Sequence, residues 1–409
     1  MHINAGDTAW MLGSAALVLF MTPGLALFYG GMVRSKNVLS TTMQSFFAMG
    51  IVSLVWAFVG YTIAFGPATG PLGPIIGGFQ HLFFAGVNGT IHPLAPTIPQ
   101  SVWAMYQGMF AIITVGLITG AVAERMKFSA YVIFAILWSL IVYAPLAHWV
   151  WGGGWLSKMG ALDFAGGTVV HIASAAAALA AAIVLGKRKG YGTEELHPHN
   201  LPLTLLGAGI LWFGWFGFNA GSALGANFLA GSAFLATHLA AASGMVGWLA
   251  VEKLTTGRAT TLGAASGAVA GLVGITPAAG FVGAMPAVVI GLAVGVLCYY
   301  GLQLKTRFGF DDALDVVGVH GVGGTTGAIL TGVFASTAIN AAGRNGALHG
   351  HPEQILIQIV GVVATIAFSF TVSFIILKVL DATMGIRVSE EGEEAGLDLS
   401  EHAETGYTL

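Results

Sequence analysis

The chain has 409 residues, of which 56% are hydrophobic and only 8% are charged, and its formal net charge is −3. A typical soluble domain has about 25% charged residues, so this composition excludes an ordinary soluble protein and indicates a protein that crosses a membrane several times. The single cysteine, Cys298, excludes an intramolecular disulfide and a metal–thiolate cluster. Redox chemistry is therefore not expected, and we predict no cofactor and no metal.

Apolar runs of about 20 residues, the length that crosses a hydrocarbon core as a helix, predict an all-α polytopic membrane protein with 11 transmembrane helices. The predicted spans are 8–32, 42–66, 99–123, 128–151, 163–186, 200–224, 231–251, 260–280, 284–304, 315–337 and 355–380. Between the second and third spans, the Pro- and Gly-rich segment 67–98 is predicted as the longest external loop. Glycine is abundant, with 60 residues, and small residues let membrane helices pack closely.

Lysine and arginine favour cytoplasmic loops, and their distribution predicts the orientation. With the N-terminus outside, all but Lys158 and Arg344 of the 15 basic residues lie on the inner side. One missed helix would invert every later loop, so this bias supports an odd number of spans and an N-out/C-in topology. We expect the cytoplasmic (inner) membrane as the location, and the first residues, MHINAGDTAW, do not resemble a signal peptide because they lack a basic region.

Aromatic residues cluster near the predicted outer ends of several helices. The clusters are YQGMF at 106–110, HWVWGGG at 148–154 and WFGWFGFNAGS at 212–222. Aromatic belts are common at membrane interfaces, and a belt or core role is favoured for Trp149, Trp155, Trp212 and Trp215. An aromatic cage is also a way to bind a small cation that must later be released, with each contact worth about 0.5 to 2 kcal/mol. Composition alone does not choose between a belt and a cage.

A recurring pair of residues predicts an internal repeat. Asp163 precedes His171 by eight residues, and Asp312 precedes His320 by eight residues. The pairs lie in spans five and ten, so their helices run in opposite directions, which is typical of inverted five-helix repeats with a shared site near the membrane midplane. The predicted domains are a transmembrane domain at 1–385, containing repeat A at about 8–186, repeat B at about 200–337 and an extra helix at about 355–384, and a tail at 386–409.

The two histidines are the main candidates for a functional site. Eight residues of helix rise about 12 Å, so His171 and His320 approach the midplane from opposite sides. A lone histidine in an apolar helix is usually structural, whereas a symmetric pair in a transporter-like arrangement favours function. For Asp163, capping of its helix through backbone N–H groups is at least as well supported as contact with a ligand.

The remaining acidic residues form two groups. Those at the start of span ten are explained by helix capping or by ion pairs with Lys305 or Arg307; they are Asp311, Asp312 and Asp315. The second group is the tail, which together with Asp381 holds eight of the 18 carboxylates. This tail is either a solubilising segment or a docking and regulatory segment on the cytoplasmic side.

Nine motifs, in order along the chain, carry a resemblance to a known family. They are TPGLALFYGGMVRSKNVL, FAIITVGLITGAVAER, HWVWGGGWL, LDFAGGTVVHI, PHNLP, GWFGFNAGSA, GAVAGLVGITPAAGFV, DVVGVHGVGG and GLDLSEHAETGY. Together they resemble the ammonium transporter family, in its bacterial and archaeal branch, from about residue 9 to residue 407. The wider group includes the Rhesus proteins.

The resemblance implies roles for individual residues of the outer aromatic motifs. Trp151, Phe110 and Ser222 would form an external site that holds ammonium by cation–π contact and a hydrogen bond. Phe110 and Phe218 would be the stacked rings that close the pore below this site. Asp163 would shape the site electrostatically.

The resemblance also implies that His171 and His320 are twin histidines that share a hydrogen bond along the pore. A bare cation in a low-dielectric pore costs tens of kcal/mol unless it is paired, and the residues around these histidines offer no carboxylate ring. We therefore expect ammonium to give up its proton and cross as ammonia. Neutral imidazoles can guide ammonia by hydrogen bonds, and a protonated one could relay the proton.

The partners implied by the resemblance are a homotrimer with one pore in each subunit and a PII-type signal protein at the tail. We expect ammonium or ammonia as substrate, contact with the lipid bilayer, no nucleic-acid partner and no enzymatic activity. Two alternatives stay open: an electroneutral Rhesus-like ammonia gas channel, and an ammonium sensor that acts through its tail. A haem or metal enzyme is disfavoured, because haem spans use axial histidines on facing helices, often in more than one pair.

Overall fold

Helices make up the regular structure of the protein. The computed structural model describes residues 2–68 and 70–407, so residues 1 and 69 of the predicted transmembrane domain and residues 408 and 409 of the predicted tail lie outside the described residues. Within the described ranges there is no strand, and Met126 and Arg387 form an isolated antiparallel bridge. The predicted all-α class is confirmed.

The helices follow one another along the chain, and the longest connection is the loop between the second and third. They are α1 Ala5–Met32, α2 Ser35–Phe65, α3 Gln100–Val122, α4 Phe128–Met159 with a turn at 151–154, α5 Gly167–Leu185, α6 Leu201–Ala223, α7 Phe228–Thr256, α8 Thr261–Ile275, α9 Ala284–Phe308, α10 Val317–Phe334, α11 Glu353–Met384, α12 Glu390–Ala395 and α13 Leu397–His402.

Each predicted span overlaps one of the helices α1 to α11. In the part of the chain that the structure describes, ten of these helices are long and apolar enough to cross a membrane. The exception is α8, which has 15 residues and so rises only about 22 Å, because the last five residues of its predicted span, 276–280, form turns. The protein is thus a multi-pass membrane protein, while the count of eleven crossings and the N-out/C-in orientation stay predictions.

Among the close helix contacts, α1 packs on α6 and α5 meets α10. At the α1–α6 contact, a Cβ atom on Gly207 would lie 2.3 Å from the backbone nitrogen of Phe28, and one on Gly24 would lie 2.6 Å from the Ile210 side chain. Glycine at these positions is what allows the two backbones to approach, as small residues do in membrane proteins generally.

A buried ion cluster joins the loops at the C-terminal end of α3. Arg188 lies 3.0 Å from Glu124 and 2.9 Å from Asp311, and Glu124 also pairs with Arg34 at 3.1 Å. Burial alone would raise the pKa of Glu124, but the facing arginines outweigh it and hold that pKa below its usual value. The cluster therefore stays charged and fixes the geometry of these loops.

The structure corrects one expectation about span ten and bears out two. Asp311 pairs with Arg188 and not with Lys305 or Arg307, because the loop after α5 brings Arg188 into the protein interior beside it. Asp315 does pair with Lys305, at 2.6 Å. The carboxylate of Asp312 accepts the backbone N–H of Val317 at 2.7 Å and so caps α10, as predicted.

The tail folds against the ends of the membrane helices. The carboxylate of Asp398 accepts the backbone N–H groups of Leu39 and Ser40 at 3.0 and 2.8 Å, and the carboxylate of Glu401 accepts that of Phe128 at 2.8 Å. These carboxylates thus satisfy backbone donors near the starts of α2 and α4, as helix caps do. This arrangement favours a docking segment over a purely solubilising one.

We expect Asp398→Ala to loosen the docked tail, because it removes the acceptor of two N–H groups, a change worth about 1 to 2 kcal/mol for a helix cap. The measurement is the rate of proteolysis within the tail of the protein in detergent, which should rise several-fold. Asp381→Ala removes the same charge from an exposed position on α11 and serves as the control. Equal proteolysis rates in the two variants would show that this cap does not hold the tail.

Candidate functional site

A vestibule opens at the end of the bundle where α3 begins, opposite the end that carries the docked tail. It has a volume of roughly 240 Å³. The residues that line it come from α3, from the turn within α4, from the end of α6 and from connecting loops. They are Leu94, Trp103, Gln107, Phe110, Val150, Trp151, Phe164, Ser222 and Leu224. Three predicted site residues, Phe110, Trp151 and Ser222, are therefore brought together here.

Trp151 is held in place by the turn that interrupts α4. Its indole N–H donates to the backbone carbonyl of Asp163 at 2.8 Å, and its ring meets the ring of Phe110 edge to face, with centroids 5.9 Å apart. The glycines of HWVWGGG make this turn possible: a Cβ atom on Gly152 would lie 2.1 Å from the carbonyl of Ala64, and Gly153 has a φ of 84°.

Ser222 presents an acceptor to the vestibule. Its hydroxyl donates to the backbone carbonyl of Phe218 at 2.9 Å, so its oxygen lone pairs remain available. The hydroxyl of Tyr106 lies 3.2 Å from Ser222 and can donate to the carbonyls of Gly217 or Phe218 at 2.9 or 3.0 Å. The tyrosine thus fixes the backbone that carries Ser222.

Two stacked phenyl rings form the floor of the vestibule. The ring centroids of Phe110 and Phe218 are 4.3 Å apart, with an angle of 26° between the planes. Phe218 lies in a π-helical turn, Phe216–Ala220, and such turns are frequent at functional sites because they redirect side chains. Phe218 also lines the chamber beneath, so the two rings separate the vestibule from that chamber.

Asp163 lies behind the vestibule, and its side chain is used entirely by its own loop. Its carboxylate accepts the backbone N–H groups of Gly166, Gly167 and Thr168, each at 2.7 Å, and the hydroxyl of Thr168. Helix α5 begins at Gly167 and not at 163 as predicted, because this carboxylate caps it from four residues upstream. The capping role is what the structure shows, and Asp163 is not among the residues that line the vestibule.

His171 and His320 meet in the interior of the bundle. Their Nδ1 atoms are 3.1 Å apart and their ring centroids are 5.2 Å apart. Both lie in π-helical turns, Gly167–Ile172 and Val317–Gly321. In the neutral pair one Nδ1–H donates and the other Nδ1 accepts, so one ring keeps a bare Nε2 and the other carries Nε2–H. The pair therefore offers one acceptor and one donor to its surroundings.

The chamber around the histidines is narrow and apolar. Its free volume of about 10 Å³ is close to the space of one water-sized molecule. Its other walls are mainly apolar and aromatic side chains: Met21, Leu25, Phe28, Ile113, Leu117, Val170, Leu211, Trp215, Phe218 and Val269. The ring of His171 stacks on Trp215 at 5.5 Å, and its Nε2 has no hydrogen-bond partner among the described residues. A small molecule that both donates and accepts hydrogen bonds fits this environment.

Sequence reasoning missed Gln107 and Trp103, which also line the vestibule. Trp103, Gln107 and Phe110 are spaced i, i+4 and i+7 and so share one face of α3. This spacing was the available signal, but an apolar helix that is buried on nearly all sides gives no pattern that marks one face as functional. A cluster of His, Cys, Asp or Glu suited to a metal ion is absent from residues 2–68 and 70–407.

The chain is similar to known transporters over its whole length. Residues 9–407 match the Ammonium Transporter Family. An ammonium transporter of Bacillus subtilis is 52% identical over 406 residues, which cover 99% of each chain. The structure of Mep2 from Saccharomyces cerevisiae superposes with a TM-score of 0.90 at 37% identity, covering 96% of this chain and 90% of that one.

A third similar structure is described as a sensor Amt protein. It has a TM-score of 0.88 at 31% identity and covers 97% of this chain and 98% of that one. A family match over nearly the whole chain, together with relatives near 50% identity, leaves no alternative assignment. The chain is a member of the ammonium transporter family.

Proposed function

We propose that this protein recruits ammonium in the vestibule, removes its proton and conducts ammonia past the twin histidines, with the proton crossing separately. The observation that carries this proposal is the hydrogen-bonded pair of His171 and His320, 3.1 Å apart, inside an apolar chamber with room for about one water-sized molecule. The names of the similar transporters support ammonium as the substrate.

Recruitment uses groups that favour a cation without holding it too tightly. The rings of Trp151 and Phe110 offer cation–π contacts worth about 0.5 to 2 kcal/mol each, and the Ser222 oxygen accepts a hydrogen bond. The indole N–H of Trp151 donates to the backbone carbonyl of Asp163 at 2.8 Å, so the negatively charged carboxylate of the same residue lies just behind Trp151. It therefore adds a favourable field without occupying the site.

The step below the vestibule favours ammonia over any intact cation. The stacked rings of Phe110 and Phe218 would exclude water, and the residues that line the chamber beneath them include no carboxylate. Dehydrating an unpaired cation there costs tens of kcal/mol. Ammonium avoids this cost by giving up its proton, whereas potassium, which has nearly the same size, cannot.

The histidine pair would serve both products of that deprotonation. Ammonia can donate to the bare Nε2 and accept from the Nε2–H, so the pair replaces part of its hydration. One imidazole can also take up the proton and pass it on. Net transfer of charge with each ammonia would make transport electrogenic.

Two further functions remain candidates. An electroneutral Rhesus-like ammonia channel would use the same pore but move no net charge. An ammonium sensor is favoured by the docked tail and by the likeness to a sensor Amt protein. Sensing would add to transport, since occupancy of the pore could then reach a partner through α12 and α13.

The assembly and placement we propose follow the family. The transmembrane domain would be 1–385, with repeat A at about 8–186, repeat B at about 200–337 and an extra helix at about 355–384, and 386–409 would be a cytoplasmic tail. The protein would form a homotrimer in the cytoplasmic membrane, oriented N-out/C-in, with a PII-type protein at the tail. No cofactor, metal or covalent reaction is required.

The test is the current across a membrane that contains the purified protein when ammonium is applied to one side. We expect a saturable ammonium current and no potassium current, with methylammonium as a weaker substrate. Ammonia flux without current would replace the electrogenic mechanism by the gas-channel one. An absence of both current and flux would overturn the proposed function.

A further inference from the structure

Gln107 is a polar vestibule residue that the mechanism above does not use. Its side chain is 7% exposed and lines the vestibule with Phe110, Trp151 and Ser222. Its Oε1 atom has no hydrogen-bond partner anywhere in residues 2–68 and 70–407. Because no hydrogen bond holds this amide, it can rotate and turn its oxygen towards the vestibule, where a donor would satisfy it.

The wall that carries Gln107 is rigid. Trp103, one turn earlier on α3, stacks on the imidazole of His92, with ring centroids 5.7 Å apart. His92 Nε2 lies 3.1 Å from the carbonyl of Phe65, and its Nδ1 accepts the backbone N–H of Leu94 at 3.2 Å. Burial lowers the pKa of His92, in keeping with the neutral ring that this pattern requires. The wall therefore brings no competing positive charge to the vestibule.

The side-chain amide of Gln107 can adopt either of two orientations. Amide oxygen and nitrogen are assigned from their hydrogen bonds, and no side-chain hydrogen bond fixes this one among the described residues. In one orientation the oxygen is buried, and rotation of the amide exchanges oxygen and nitrogen and turns the oxygen towards the vestibule. Gln107 can therefore present a carbonyl oxygen to a bound cation at low cost.

We propose that Gln107 is a second hydrogen-bond acceptor for ammonium and that it lets the vestibule distinguish ammonium from methylammonium. This inference rests on the proposed function. Ammonium has four N–H donors: the faces of Trp151 and Phe110 take two, the Ser222 oxygen takes the third and the Gln107 oxygen takes the fourth. Methylammonium has three N–H donors, and we place its methyl group against the Gln107 oxygen, which is then left unpaired.

The experiment compares uptake of ammonium and methylammonium into proteoliposomes that contain the full chain or its Gln107→Leu variant. The loss of one hydrogen bond to a charged ligand should raise the half-saturating ammonium concentration roughly tenfold. Methylammonium already lacks one donor, so its half-saturating concentration should rise less than about threefold. The ratio of the methylammonium to the ammonium half-saturating concentration should therefore fall. A merely structural role of Gln107 would not produce this change.

Gln44→Leu is the matched control. Gln44 lies on α2, is 1% exposed and also has an Oε1 without a partner within the described ranges, but it does not line the vestibule. The same substitution at Gln44 removes a similarly buried amide and should leave the ratio of the two half-saturating concentrations unchanged. If Gln44→Leu lowers this ratio as much as Gln107→Leu does, the role proposed for Gln107 is wrong.

Gln107→Glu keeps the test decisive if the leucine variant does not fold. A carboxylate of nearly the same size retains the acceptor, so at neutral pH the half-saturating ammonium concentration should be equal to or lower than that of the unmodified protein. A higher value would overturn the proposal, as would equal effects of Gln107→Leu on both cations. No uptake by the unmodified protein would instead overturn the proposed function on which the inference rests.

Discussion

Replacing Asp163 by asparagine is expected to reduce ammonium transport about a hundredfold, the equivalent of losing two charge-assisted hydrogen bonds of about 1.5 kcal/mol each. The carboxylate accepts three backbone N–H groups at 2.7 Å. An asparagine of the same shape would turn an NH₂ group towards some of these donors. The start of α5 would loosen, the anchor of Trp151 on the carbonyl of Asp163 would shift, and the negative charge behind the vestibule would be lost.

The control for this prediction is Asp312→Asn, the same exchange in the other repeat. Asp312 accepts the N–H of Val317 at 2.7 Å, and its Oδ1 has no partner in the described part of the chain. An amide NH₂ can occupy that open side, so transport should stay within about threefold of the unmodified protein. Uptake and current in proteoliposomes would measure both variants, and equal losses would contradict the special role assigned to Asp163.

The double change His171→Asp, His320→Glu is expected to abolish the distinction between ammonium and potassium. Carboxylates in the chamber would supply the charge compensation whose absence excludes a bare cation, a penalty of tens of kcal/mol when it is unpaired. They would also remove the neutral donor–acceptor pair that guides ammonia. We therefore expect a potassium current within about tenfold of the ammonium current and a changed charge per transported ammonia.

The measurement is the reversal potential and the charge-to-ammonia ratio under opposing potassium and ammonium gradients. His349→Asp with His351→Glu makes the same chemical change at two exposed histidines of the loop before α11 and should leave both quantities unaltered. If the pore double variant keeps its selectivity and its charge per molecule, the histidines carry neither the ammonia nor the proton.

The membrane helices and the histidine pair could be predicted from the sequence. Every predicted span overlaps a helix, because the length of apolar sequence that crosses a bilayer is a local property of the chain. The eight-residue spacing from Asp163 to His171, repeated from Asp312 to His320, indicated that the two histidines approach each other. Their Nδ1 atoms are in fact 3.1 Å apart.

The start of α5 was predicted less accurately from the sequence than the presence of the helix. The predicted span begins at 163, but the helix begins at Gly167. A carboxylate that accepts several N–H groups replaces the first hydrogen bonds of the helix. Its position relative to the first turn depends on backbone angles, such as the φ of 121° at Gly166, that apolarity does not report.

The apolar segments that form helices, and the polar residues within them, can be identified from the sequence, because both depend only on residues that are neighbours in the chain. The contacts between distant groups depend on three-dimensional packing: Asp311 meets Arg188, Asp398 meets the start of α2, and Gln107 lines the vestibule. These partners are far apart in the chain, and in a bundle buried on nearly all sides many helix faces are equally apolar. Packing of backbones at glycines, and the need to satisfy buried charges and amides, selects one arrangement among those that the sequence pattern allows.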